Sequence, residues 1–426
     1  MPSSLSASLL GFSLLLTDCT RPPQSAPATD PAARSAPTAA TPTAPLRQTV
    51  ASPPQVILPA AEPLRVGAEQ FGRYLPLLQG KRVGVVVNQS AKVGRAFLVD
   101  TLLARGVNVQ AIFGPEHGFR GEAADGATIK DGKDARSGLP ALSLYGATKK
   151  PTPEMLRNVD VLVFDIQDVG TRFYTFISTM HYVMEAAAEQ NKEVIILDRP
   201  NPNGWYVDGP VLEPQFKTFV GMHPIPIVHG LTVGELARMI NGEQWLEGKR
   251  QCRLTVVPMQ GYTHDTRYEL PVRPSPNLPT PHSVALYPSL CLFEGTDVSV
   301  GRGTAMPFEV IGAPTQPNTR PFRFTPTPNP GSTSPPQNGK LCYGEDLRQT
   351  GNEVGFTLKY LLDFYRQSSD KATFFNKGFE RLAGTAALRQ QIVAGKTEQE
   401  IRQSWEPALG QYKALRKKYL LYPDFK

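Results

Sequence analysis

Five short apolar runs do most to limit what this chain can become. Residues 82–88 read RVGVVVN, 107–113 VNVQAIF, 160–165 DVLVFD, 193–198 EVIILD and 253–258 RLTVVP. All are of strand length. The first, third and fourth are apolar throughout their centres, so neither face of those strands can meet water. Stretches of helical spacing separate the runs. Residues 97–105 form one. A second, 173–190, puts Phe173, Phe176, Ile177, Met180, Val183, Met184 and Ala187 on one face. A third opens on the capping box Thr232-Val-Gly-Glu235 and runs to about 245. Doubly buried strands alternating with helices imply a mostly parallel sheet covered on both sides. The expected fold class is α/β, with a Rossmann-like, doubly wound sheet over residues 63–280.

Past residue 281 the rhythm changes. Residues 313–340 are rich in proline and read as a long surface excursion. Helices are expected over 353–366 and 398–422, the latter opened by Thr397 and Glu400. Its apolar stripe is Ile401, Trp405, Leu409 and Tyr412, with a kink expected at Pro407. This half, 281–426, reads as a smaller α+β domain.

The N-terminus is built differently. Leu9 to Leu16 is an apolar run too short to span a bilayer as a helix, and it reads as the core of a signal peptide over residues 1–19. It ends in Leu16-Thr-Asp-Cys19, which resembles a bacterial lipobox, although Asp18 stands where a small residue is expected. Cys19 is the expected lipid attachment point and hence a route to membrane attachment in the cell envelope. Residues 20–62 are Pro, Ala, Thr and Ser in the main, a composition that cannot bury a core and suits a tether.

Charge and cysteines exclude several classes. The net charge of +7 is spread without a basic stripe, so nucleic acid is not an expected partner. Cys19, Cys252, Cys291 and Cys342 have no CxxC spacing, which argues against a zinc cage and against a disulfide framework. No GxGxxG follows a strand, Gly242 and Gly248 have the wrong spacing for a phosphate loop, and HExxH and GxSxG elbows are absent. No cofactor is expected.

Ligands of open α/β sheets bind beyond the carboxyl ends of the strands. Here those ends read Asn88-Gln-Ser90, Gly114-Pro-Glu-His-Gly118, Asp165-Ile-Gln-Asp-Val-Gly-Thr-Arg172 and Asp198-Arg-Pro-Asn-Pro-Asn-Gly204. A shared cleft is expected there. Glu116 is the candidate general acid or base, with His117 as its support. Asp165 and Asp168 are candidates for a second carboxylate or for orienting hydroxyls. Asn88, Gln167 and His229 are further candidate contacts. His181 and Glu235 read as structural.

Taken together, "FGPEHGFRG", "SLYG", "VLVFDIQDVGTRFYTF", "LDRPNPNG", "PIPIVHGLTVGELA", "PSPNLPT", "LYPSLCLFEGTDVSVGRGTAMPFEVIGAP" and "KKYLLY" resemble the bacterial exo-β-N-acetylmuramidases of the NamZ type. The resemblance covers residue 64 to the C-terminus. It implies a Rossmann-like domain and a smaller domain with the cleft between them. The implied activity is removal of terminal N-acetylmuramic acid from the non-reducing end of peptidoglycan fragments. It also implies Glu116 as the catalytic glutamate and a catalytic tyrosine, Tyr145, with Tyr174 as its rival. N-acetylmuramic acid carries a lactyl carboxylate, for which Arg120, Arg172 and Arg302 are candidate clamps. Asn201, Asn203 and Asn277 are candidate readers of hydroxyl or acetamido groups. Two readings compete: a metal-dependent hydrolase using Glu116, His117, Asp165, Asp168 and His229, and a non-catalytic muropeptide-binding lipoprotein.

Overall fold

The valine run becomes β1 (Val83–Val87), buried at every residue. The computed structural model describes residues 62–116, 118–119, 131–351 and 355–426. After β1 comes a small hairpin, β2 (Lys92–Val93) and β3 (Ala96–Phe97). The sheet continues with β4 (Val109–Gly114), β5 (Gly132–Lys133), β6 (Pro140–Ser143), β7 (Val161–Asp165), β8 (Glu193–Leu197) and β9 (Arg253–Val257). Its order is β5-β6-β4-β1-β7-β8-β9. Every pairing from β6 to β9 is parallel, and the edge strand β5 is antiparallel. The chain steps outward from β1 to β4 and β6, then returns to the other side of β1 for β7 to β9. Crossovers therefore diverge at β1 and β7, the place where such sheets open a crevice.

Alternation along the strands sends two sets of side chains to two faces. Val83, Val85, Val87, Val163 and Leu197 pack with Tyr74 and Leu78 of α1 (Phe71–Leu78) and Leu98 and Leu102 of α2 (Leu98–Ala104). Val86, Phe113, Leu162, Phe164 and Ile196 pack with α3 (Phe176–Glu189) and α4 (Val233–Gly242). That second core runs on without a break into the C-terminal part, as far as Leu409 and Tyr412.

The C-terminal part opens with α5 (Pro281–Leu290) and carries its own antiparallel sheet, β10 (Val310–Ala313), β12 (Cys342–Asp346) and β11 (Phe322–Phe324) in spatial order. The expected surface excursion at 313–340 is therefore corrected. It contains β11, Phe324 is buried, and the buried Arg320 joins Glu345 at 2.7 Å and Asp363 at 2.8 Å. Four helices follow: α6 (Lys359–Gln367), α7 (Phe379–Ala383), α8 (Ala387–Val393) and α9 (Glu398–Arg416). The start of α6 is later than expected because Glu398 takes the Leu358 amide at 3.0 Å ahead of it. The end of α9 is earlier than expected because the chain is drawn off to the sheet. Leu421 N donates to Glu235 and the Tyr422 hydroxyl donates to Asp198. Ile401, Trp405, Leu409 and Tyr412 are buried as their spacing predicts, and α9 runs through Pro407. Cys252, Cys291 and Cys342 are buried free thiols. No helix of the described residues is long and apolar enough to cross a membrane.

A buried ion pair fixes the functional edge of the sheet. Asp165 ends β7 and is wholly inaccessible. Arg199, just past β8, donates to its two oxygens from Nε at 2.6 Å and Nη2 at 2.8 Å, and Nη2 also donates to the Lys92 carbonyl of the hairpin. Burial alone raises the carboxyl pKa, and the guanidinium opposes it. Replacing Arg199 with Met leaves an uncompensated buried carboxylate. Chemical unfolding is expected to show a loss of about 3–5 kcal/mol, and a loss below about 1 kcal/mol would reject this role for the pair.

Candidate active site

β4 delivers Gly114, Pro115 and Glu116 to the edge of the sheet. Gly118 then turns the chain: its N–H donates to the Pro115 carbonyl at 2.9 Å, and its φ of +74° is the left-handed region that glycine enters without strain. Glu116 is half-buried, and its Oε2 accepts a hydrogen bond of 2.8 Å from the hydroxyl of Thr175, the residue before α3.

A cavity of about 250 Å³ lies against this pair. Its N-terminal walls come from Glu116, from Tyr145 just past β6, from the 173–176 segment past β7, and from Phe219 and Val220. The C-terminal part supplies Tyr287, Cys291, Glu294, Arg302, Phe308 and Leu382. Ser275, Asn277 and Leu278 line it between the two parts. Arg302 Nε donates to Glu294 Oε1 at 2.5 Å, and the guanidinium lies 5.2 Å from the Phe308 ring. Cys291 donates weakly to Glu294 Oε2, with sulfur and oxygen 3.6 Å apart. Burial pushes the Cys291 thiol and the Tyr287 phenol well above their ordinary pKa values, so both remain protonated donors.

Of the residues singled out in the sequence, Glu116, Tyr145, Tyr174, Asn277 and Arg302 line this cavity. The Asn277 amide also donates to the Gly331 carbonyl at 2.9 Å. His117, Arg120 and Cys19 lie outside the described residues.

The other candidates are corrected by their surroundings. Asp165 is consumed by Arg199, so it is not the second carboxylate of the cavity. Asn88 accepts from Ser90 within its own turn, and Gln167 donates to the carbonyls of Asp168 and Pro200. Asn201 donates to Leu231 O, and Asn203 donates to Val169 O and Val284 O, binding the loop beyond β8 to its neighbours. His229 is buried; burial and nearby Arg416 hold its pKa down at about 3, and its Nδ1 accepts from Leu231 N. Asp168 is buried beside it, 3.9 Å from His229 Nε2, and accepts from Gly170 N.

Arg172 is the most informative correction. It is completely buried and meets no carboxylate among the described residues. Nη1 donates to the carbonyls of Pro210 and Ile225 at 2.7 and 2.8 Å, and Nη2 to those of Leu382 and Ala383 at 2.9 and 2.7 Å. It therefore builds the cavity wall at Leu382 from behind and does not reach a ligand. Gly384 has φ +75°, and a Cβ there would stand 2.5 Å from Arg172 Nη2.

Asp165, Asp168 and His229 are held by separate partners, so they do not gather round Glu116 as metal ligands. Among the described residues, Glu185, Glu189 and Glu247 have ligand-compatible spacing, and Lys150 already sits against Glu185 at 3.1 Å and Glu189 at 2.9 Å.

Residues 83–282 match the family model described as exo-beta-N-acetylmuramidase NamZ, N-terminal, and residues 285–422 match its C-terminal counterpart. The peptidoglycan beta-N-acetylmuramidase NamZ of Bacillus subtilis (strain 168) is 42% identical over 381 residues, covering 82% of this chain and 89% of that protein. This chain belongs to the NamZ family. Two solved DUF1343 family proteins from Bacteroides fragilis NCTC 9343 share the NamZ-type architecture seen here. One superposes with a TM-score of 0.79 at 46% identity, covering 85% of this chain and 99% of its own. The other has a TM-score of 0.74 at 32% identity, covering 84% and 99%.

The NamZ C-terminal half supplies most of what sequence reasoning missed. Tyr287, Cys291 and Glu294 stand in the string LYPSLCLFEGTDVSVGRG, which carried part of the resemblance. The signal that could have found Glu294 is its place eight residues before Arg302 within that string. Pro281 and Pro288 hid α5, which presents Tyr287 to the cavity. Thr175 and Phe219 carried no signal, since a threonine at a helix start and a phenylalanine in a loop are common.

Burial raises the Asp168 carboxyl to about 7, against the pull of the Gly170 amide. A folded-state pKa above the unfolded value means that the folded chain binds the proton more tightly. This contribution to stability is therefore present in full below about pH 4 and is lost as pH rises through 7. Asp168→Asn removes that loss. Denaturation midpoints should shift in favour of the variant by up to about 4 kcal/mol between pH 4 and 8, and a difference independent of pH would reject the assignment.

Proposed function

We propose that this protein is an exo-acting glycoside hydrolase that releases terminal N-acetylmuramic acid from the non-reducing end of peptidoglycan fragments. The observation that carries this reading is the placement of Glu116 and Arg302 on the walls of one cavity with room for a single substituted sugar. Membership of the NamZ family supports the same substrate.

Glu116 gives its proton to the glycosidic oxygen as the bond from C1 lengthens toward an oxocarbenium-like state. The Thr175 hydroxyl on Oε2 holds the carboxyl group in one rotamer. Phe173, Phe176, Phe219 and Phe308 give the cavity apolar walls, which exclude water and strengthen the polar contacts inside. Arg302, on the cavity wall, is the assigned contact for the lactyl carboxylate, a group that suits a planar guanidinium. Tyr145 and Asn277 address hydroxyl and acetamido groups.

A chromogenic β-N-acetylmuramide and its N-acetylglucosamine analogue test this directly. Wild type should release free N-acetylmuramic acid. Glu116→Gln should lose about 10²- to 10⁴-fold in kcat on natural fragments, and Arg302→Met should raise KM for the muramide more than for the analogue. Release of nothing by wild type sinks the activity, whereas near-normal turnover of natural fragments by Glu116→Gln sinks only the role of that residue.

Residues 9–19 and the Pro/Ala/Thr-rich stretch to 62 support a further proposal: export, with a lipid on Cys19 and a tether between the lipid and the catalytic part. Mass spectrometry of the mature N-terminus should find a lipidated Cys19. A chain still starting at Met1 would reject it.

A further inference from the structure

We propose that Glu294 is the second catalytic carboxylate, the base that takes a proton from the attacking water. This rests on the hydrolase reading above and adds to it the residue that completes the reaction.

Hydrolysis of a glycosidic bond in the usual two-carboxylate scheme needs one carboxyl group to protonate the leaving oxygen and a second to serve the water or the anomeric carbon. Asp165 and Asp168 do not fill the second post: one is closed off by Arg199 and the other is buried beside His229. Among the described residues that line the cavity, the carboxylates are Glu116 and Glu294. They come from different parts of the chain, Glu116 from the end of β4 and Glu294 from the turn that follows α5. The cavity between them is sized for one sugar ring.

Their partners among the described residues differ. Glu116 accepts from a neutral hydroxyl, Thr175. Glu294 accepts from a guanidinium on Oε1 and a thiol on Oε2. A carboxylate held by a cation is suited to act as base or electrostatic stabiliser. The contact to Cys291 is long and weak, so Oε2 is the oxygen that can exchange a sulfur contact for a water.

The step balances as follows. The oxygen of water forms a bond to C1 while the bond from C1 to the leaving oxygen breaks. The water proton passes to Glu294, and the Glu116 proton passes to the leaving oxygen. The products are free N-acetylmuramic acid and a shortened fragment with a new hydroxyl. Arg302 holds Glu294 in place through Nε.

Glu294→Ala and Glu294→Gln, assayed on a nitrophenyl β-N-acetylmuramide, separate this role from simple support of Arg302. The leaving group needs no acid, so Glu116 does not limit the rate. If Glu294 is the base, kcat falls by about 10²- to 10⁴-fold with KM changed little. Azide restores part of the Glu294→Ala turnover and yields a glycosyl azide. The acidic limb of the kcat/KM profile disappears in Glu294→Gln. The isosteric Gln variant carries the test if Ala fails to fold, as checked by circular dichroism. Turnover within tenfold of wild type overturns the proposal. So does a rise in KM alone that matches Arg302→Met without azide rescue, or a covalent sugar adduct on Glu294. All these outcomes presuppose an active wild type, so they are distinct from failure of the hydrolase reading itself.

Discussion

The buried guanidinium of Arg172 is the contact on which the site depends. A cation without a carboxylate partner is costly to bury, and here it survives because four backbone carbonyls surround it. Two of them belong to the loops that lead from β8 towards α4, and two belong to the end of α7. The same segment that carries Arg172 carries Tyr174 and Thr175, two and three residues on, and one of its partners is Leu382 of the cavity wall. A single side chain thus sets the spacing between the sheet edge that presents Glu116 and the helical part that closes the cavity.

Around that staple the polar text at the strand ends divides into scaffold and chemistry. Asp165 with Arg199, Asn201 with Leu231, and Asn203 with Val169 and Val284 turn loops into a rigid rim. Each buried polar atom so engaged avoids a desolvation penalty of about 1–3 kcal/mol, which is why the rim is rich in Asn, Asp and Arg. The residues left to face the cavity are fewer, and half of them come from beyond residue 270. Catalysis is therefore built on top of a sheet edge that is itself mostly structural.

Much of the fold was legible. Doubly buried runs such as VGVVV and VIIL admit one kind of environment, and capping boxes at Thr232 and Thr397 mark helix starts through a local hydrogen bond. The ends of helices were harder. The stop of α9 at Arg416 depends on Glu235 and Asp198, each more than 180 residues away. β11 was hidden among prolines because its partner, β12, lies about twenty residues further on and pairing leaves no local mark. In the site, Glu116 stood out because a carboxylate between glycines after a buried strand has few structural uses. Arg172 stood out equally, and wrongly, because an arginine that binds carbonyls and one that binds a substrate carboxylate have the same neighbours in sequence.

The chain by itself determined the parallel sheet and pointed to the edge where the cavity lies and to Glu116 at its wall, since these follow from hydrophobic period and from turn residues a few positions apart. Family membership was legible for the same reason, as it resides in contiguous strings. Tertiary structure alone decided which polar residues face the cavity and which are spent on the rim, and it alone brought Glu294 and Arg302 to the same space as Glu116. The physical reason is that a side chain's role depends on which donors and acceptors reach it first. For Asp165 and Arg172 those partners are 34 and 38 to 211 residues away, and no local pattern encodes who arrives.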